Sequence, residues 1–168
     1  MIVNRQRAVL VARPPLESFL RRVKNELGLE EASLTVCLVS DAEIARMNET
    51  FRKKKGPTDV LSFPAEKKWP LAARGKRVTS GPDPVGVNEQ REKSKNKQRR
   101  EAGKYLGDIA IAPDTARRYA KKNGRTLASE LRVLILHGVL HLLGYDHETD
   151  RGEMDRAERK LRKRFGLA

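Results

Sequence analysis

Hydrophobic positions divide the chain into segments of two different periods. After Pro14-Pro15, the residues Leu16, Phe19, Leu20, Val23 and Leu27 recur at the spacing of a helix, and Gly28 supplies a stop. Leu34 to Val39 is a β-branched-rich run of strand length. Asp41 can cap a helix over residues 42–50 that turns Ile44 and Met47 inward. Pro57-Thr58-Asp59-Val60-Leu61-Ser62-Phe63-Pro64 reads as a short strand closed by a proline at each end. Strand character returns from Tyr105 to Ala112, and a helix follows Pro113. A longer helix runs from about Leu127 to Leu143, nearly all apolar after Leu131, as a central helix covered on most sides would be. The last segment sets Met154, Ala157, Leu161 and Phe165 on one stripe, with Arg156, Arg159, Lys160, Lys163 and Arg164 elsewhere. Ile2 and Val3 suit a short edge strand. Interleaved strands and helices predict one mixed sheet with helices packed on it, in an order that the pattern leaves open.

Between Ala65 and Lys104 the periodicity is lost. Scattered Pro and Gly surround the run Arg91-Glu92-Lys93-Ser94-Lys95-Asn96-Lys97-Gln98-Arg99-Arg100, which predicts a long, mobile, basic insertion between two strands. The 168 residues otherwise suit one domain spanning 1–168. Lys and Arg number 36 against 22 Asp and Glu, a net charge of +14 that favours a polyanionic partner. Ribosomal RNA, DNA and anionic lipid would all answer that description. Residues 65–104 carry +7 of the excess and residues 151–168 carry +4, so the remaining chain is nearly balanced. The insertion is either a solvated loop or a phosphate-contacting arm, and its tryptophan, Trp69, could stack on a base. No apolar run approaches the ~18 residues of a membrane span, and the N-terminal stretch lacks the form of a signal peptide. The single cysteine, Cys37, lies in an apolar strand and reads as a packing residue. A cytoplasmic protein fits these features.

The chain's three histidines lie within eleven residues, His137-Gly138-Val139-Leu140-His141-Leu142-Leu143-Gly144-Tyr145-Asp146-His147. His137 and His141, four apart, project from one face of a helix. That spacing lets two imidazoles converge on one ion, with metal–nitrogen distances of about 2.0–2.1 Å. Gly144 permits the left-handed turn that would bring His147 round as a third ligand. Three protein ligands leave a fourth position open, the arrangement of a catalytic zinc site at the C-terminal end of a central helix. Hydrogen-bonded core histidines are the simpler alternative, against which spacing, glycine stop and exclusive clustering argue together. Zinc ranks ahead of nickel or copper on ligand type and availability. The ligand spacing also matches metzincin proteases, but those carry a glutamate base directly after the first histidine. Here that position is Gly138, which weakens a metallopeptidase reading.

Taken with Asn48-Glu49-Thr50-Phe51-Arg52, the Pro57–Pro64 run and Leu106-Gly107-Asp108-Ile109-Ala110-Ile111, the histidine motif resembles the YbeY family, bacterial endoribonucleases of ribosomal RNA maturation. The resemblance covers about residues 30–64 and 105–150. It implies an α+β fold with a mixed four-stranded sheet, a zinc ion held by His137, His141 and His147, and a functional arginine at Arg52. It also implies the small ribosomal subunit and an Era-type GTPase as partners. The insertion at 65–104 departs from the family's much shorter connection.

Residue chemistry agrees with that resemblance. Cleavage of RNA adds negative charge to a phosphoryl group, which a zinc ion can polarise and a guanidinium can meet with a planar fork. Arg52 takes the second role; alone it would read as a solvated helix-end arginine. Asp108 could orient a ligand imidazole or simply face solvent. Two nucleophiles fit the chemistry: water activated at the metal, leaving a 5′-phosphate, or the substrate's own 2′-hydroxyl, leaving a cyclic phosphate. A single-strand-specific endoribonuclease of small-subunit ribosomal RNA processing and ribosome quality control is the leading expectation. Its rivals are an assembly factor with largely structural zinc and a metallopeptidase-like hydrolase.

Overall fold

Four strands and five helices form within residues 1–65, 105–146 and 149–167, which are those the computed structural model describes. In chain order they are β1 (Ile2–Asn4), α1 (Arg13–Glu26), β2 (Ser33–Leu38), α2 (Asp41–Arg52), β3 (Val60–Pro64), β4 (Tyr105–Ile111), α3 (Pro113–Lys122), α4 (Leu127–Leu142) and α5 (Glu153–Phe165). The expected basic insertion lies, apart from Ala65, outside the described residues, as does His147. No helix among the described residues is long and apolar enough to cross a membrane.

The strands make one sheet in the order β1-β2-β4-β3. β1 and β4 run parallel to β2, whereas β3 pairs antiparallel with β4 through Leu61↔Ala110 and Phe63↔Asp108. The α+β architecture and mixed four-stranded sheet are therefore as expected. Alternation of side chains buries both faces. Ile109 and Ile111 point into the main core with Leu136, Val139 and Leu140 of α4, while Leu61 and Ala110 join Ile44 on the α2 side.

A bulge at the start of β4 sets this alternation. Ser33 pairs with Tyr105 and Thr35 with Asp108, so β4 carries an additional residue there. Gly107 has φ +134, and a Cβ on it would lie 2.2 Å from the Phe63 carbonyl oxygen. Only glycine fits both the dihedral and the close approach of β3. Cys37 is half-buried beside the smaller core cluster, and burial, with the charge of Asp108 second, pushes its thiol up. That supports a packing role.

Helix termini differ from the sequence expectation in detail. α1 begins at Arg13 with its prolines in the first turn, where a missing N–H costs nothing. Ser40, not Asp41, caps α2 by accepting from the Glu43 N–H at 3.2 Å. Asp41 instead serves α3, accepting from the Thr115 N–H at 3.3 Å and its hydroxyl at 3.0 Å. Asp150 does the same for α5, with 2.7 Å bonds from Gly152 and Met154. The stripe of α5 docks as expected: Met154 is fully buried and Phe165 meets Phe19 of α1 edge to face at 5.3 Å.

Candidate metal centre

The C-terminal half of α4 faces an open cleft of about 400 Å³. Its walls are Phe51 and Arg52 from the end of α2, Val60–Pro64 of β3, and Gly144, Tyr145 and Asp146 after α4. His137 and His141 open into it, as their four-residue spacing predicts. Their Nε2 atoms lie 3.1 Å apart, and the ring planes cross at 77°. Two nitrogens that close cannot both carry protons without repulsion, so at least one presents a lone pair.

His137 Nδ1 lies 2.9 Å from Glu158 Oε2 on α5. With its proton on Nδ1 donated to that carboxylate, His137 turns a lone pair outward at Nε2. Glu158 is ion-paired in turn with Arg162, one helical turn along. Burial pushes the Glu158 carboxyl up, but the hydrogen bond and charge of His137, with Arg162, outweigh it and hold the group below its usual value. The sequence reading missed Glu158. It stands four residues after Met154 and three before Leu161, on the stripe that helical spacing assigns to the core, and a carboxylate at such a position was the available signal. Asp108, the carboxylate proposed for this task from sequence, accepts from the Tyr105 hydroxyl at 2.5 Å.

Gly144, at φ +89, makes the left-handed turn expected of it, and the Tyr145 N–H closes on the Leu140 carbonyl at 3.1 Å. The described residues bring together two of the three expected donors, His147 lying outside them, and assemble no group of three among themselves. The two converging nitrogens, one with its tautomer held by a carboxylate, suit a borderline-soft divalent cation such as zinc.

Arg52 reaches the same cleft from the last residue of α2. Its position is fixed locally. Lys53 takes the left-handed conformation at φ 57, and Asn48 Nδ2 donates to the Gly56 carbonyl at 3.0 Å, tying back the loop. Arg52 is followed by Lys53, Lys54 and Lys55, all exposed, a basic run that the sequence reading passed over.

Gly138 explains the absent glutamate. A Cβ there would meet Ile109 Cγ2 at 2.8 Å and Cδ1 at 2.9 Å. The position faces the sheet, 100° round the helix from His137, and Ile109 is fully buried. A larger side chain would have to push the buried Ile109 side chain aside.

These features sit within a wider likeness. The family model described as endoribonuclease YbeY matches residues 2–166. A protein named endoribonuclease YbeY from Solibacter usitatus is 36% identical over 166 residues, covering 99% of this chain and 88% of its own. One of the same name from Aquifex aeolicus is 36% identical over 151 residues, covering 90% and 79%. The solution structure of TM1509 from Thermotoga maritima superposes with a TM-score of 0.54 at 25% identity, covering 95% of this chain and 85% of that one. From residue 2 to residue 166, this chain belongs to the endoribonuclease YbeY family.

Proposed function

We propose that this chain is a zinc-dependent endoribonuclease that cuts single-stranded RNA, acting on small-subunit ribosomal RNA in the cytoplasm as one domain over residues 1–168. The observation that carries the reading is the 3.1 Å approach of two imidazole nitrogens inside a cleft that Arg52 also lines.

His137, His141 and His147 would hold the metal, one ion per chain. When bound, zinc supplies a Lewis acid for a phosphoryl oxygen and lowers the pKa of water. Arg52 meets developing phosphoryl charge with paired N–H donors. Glu158 keeps the proton on His137 Nδ1 and thereby holds the ring's direction. Lys53, Lys54 and Lys55 attract the phosphates to either side. A peptidase is disfavoured, since the place of its base is closed by Ile109. The exposed basic residues of α5, among them Arg159, Lys160 and Lys163, suit contact with the small ribosomal subunit, and an Era-type GTPase remains the proposed protein partner.

Metal analysis beside cleavage of small-subunit ribosomal RNA tests this reading. Wild type should purify with about one zinc per chain and cut. His141→Ala should lose both metal and cleavage while folding. Arg52→Glu should keep the metal and lose at least a hundredfold in rate, the scale of a lost oxyanion donor. Cleavage at the wild-type rate by His141→Ala would overturn it.

A further inference from the structure

Four large hydrophobic side chains are exposed among the described residues: Met1, Leu10, Phe51 and Tyr119. Of these only Phe51 borders the cleft. It is 66% exposed and stands immediately before Arg52. Beneath it lies Phe63 of β3, with ring centroids 5.0 Å apart and planes at 71°. Phe63 is half-buried against the Ile44 and Leu61 cluster, so the lower ring is fixed and the upper ring is braced on it.

A singly exposed hydrophobe is ordinary. Placement distinguishes this one. Phe51 shares its cleft with His137, His141 and Arg52 and is followed by four consecutive cations, Arg52 to Lys55. An apolar ring beside such charge suits an occupant that carries flat apolar surface and dense negative charge together. A nucleic-acid strand carries both, because each phosphate is one sugar away from a base with two π-faces. In a duplex those faces are covered by neighbouring bases; in a single strand they are available.

We propose that Phe51, braced by Phe63, is a stacking platform for an unpaired base beside the phosphate engaged at Arg52, and that it makes the site prefer single-stranded to paired RNA. This rests on the endoribonuclease reading and names how that site would select its substrate.

The test is equilibrium binding of a short labelled single-stranded oligoribonucleotide at low salt, read before appreciable cleavage. Phe51→Ala and Phe51→Leu should bind about tenfold more weakly, within the range of one lost base stack. Phe51→Trp should bind as wild type, and all three should stay folded, since most of the ring is exposed. Replacing the nucleotides one at a time by abasic residues should find one position at which Phe51→Ala carries no further penalty. Paired RNA should bind wild type and Phe51→Ala equally. Unchanged binding by Phe51→Ala, or wild-type binding by Phe51→Leu, would overturn the platform while leaving the nuclease reading intact. A concentration-dependent dimer lost in Phe51→Ala would assign the ring to a second copy of the chain instead. Failure of the wild type to bind single-stranded RNA would overturn both readings.

Discussion

A carboxylate on the core stripe of a helix must recover the cost of losing water, and Glu158 does so through His137 and Arg162. What this provides is direction: the imidazole is held by its far nitrogen while the near one faces the cleft. The expected consequence is in metal affinity. Glu158→Gln, which keeps an acceptor oxygen, should weaken zinc binding about tenfold, and Glu158→Leu about a hundredfold, in competition with a chelator. Cleavage measured at saturating zinc should recover far more in the glutamine variant. Affinity indistinguishable from wild type in both variants would remove Glu158 from the site. Gly138 belongs to the same scale. Its identity was legible in the sequence and argued against a protease, but the cause, a fully buried Ile109 pressed against it, exists only once α4 lies on β4.

α2 and α3 are tied to each other by one side chain. Ala112, at the head of α3, has no cap of its own, and Asp41 supplies it from α2 while also meeting Arg118 Nη2 at 2.6 Å. Burial raises the Asp41 carboxyl, but hydrogen bonds from Arg118 and Thr115 outweigh it and leave the group below its ordinary value. A carboxyl depressed in the folded state stabilises above its unfolded pKa of about 3.9, and that contribution is lost as pH falls through the lower folded value. Asp41→Ala should therefore cost about 1–2 kcal/mol at neutral pH, the scale of a lost cap. The gap between the two proteins should close as the medium is taken below about pH 3, below the ordinary carboxylate value. Urea midpoints compared across that range check it; a pH-independent gap would contradict the carboxylate's role. The elements themselves were legible because period is local: Leu16, Phe19, Leu20 and Val23 read as one helical face and are buried as one. Asp41 was read as a cap for the wrong helix, because a cap reaching 74 residues along the chain leaves no local trace. The parallel order β1-β2-β4, likewise, depends on pairings between distant segments.

Over the whole chain, the net charge of +14 is concentrated in a few stretches. Arg52, which lines the cleft, begins the exposed run Arg52–Lys55, and after Pro64, also in the cleft wall, the sequence of residues 65–104 carries a net +7. If single-stranded RNA enters there, binding should fall with salt, each phosphate contact adding about 0.7 to the log–log slope. Replacing Lys54 and Lys55 by alanine should lower that slope by about 1.4 without altering metal content. An unchanged slope would place the bound phosphates elsewhere. The total charge was plain in the composition. The place of Arg52 and Pro64 beside the histidines was not, since it needs the antiparallel pairing of β3 with β4 and the packing of α4 across them.

The bond between Glu158 and His137 also gives the molecule an order in time. A ribosome making this chain produces Arg52 first, then the edge strand, then the histidines, and only afterwards the carboxylate that aims one of them. A half-made chain therefore carries Arg52 and the imidazoles before it carries the brace that aims one of them.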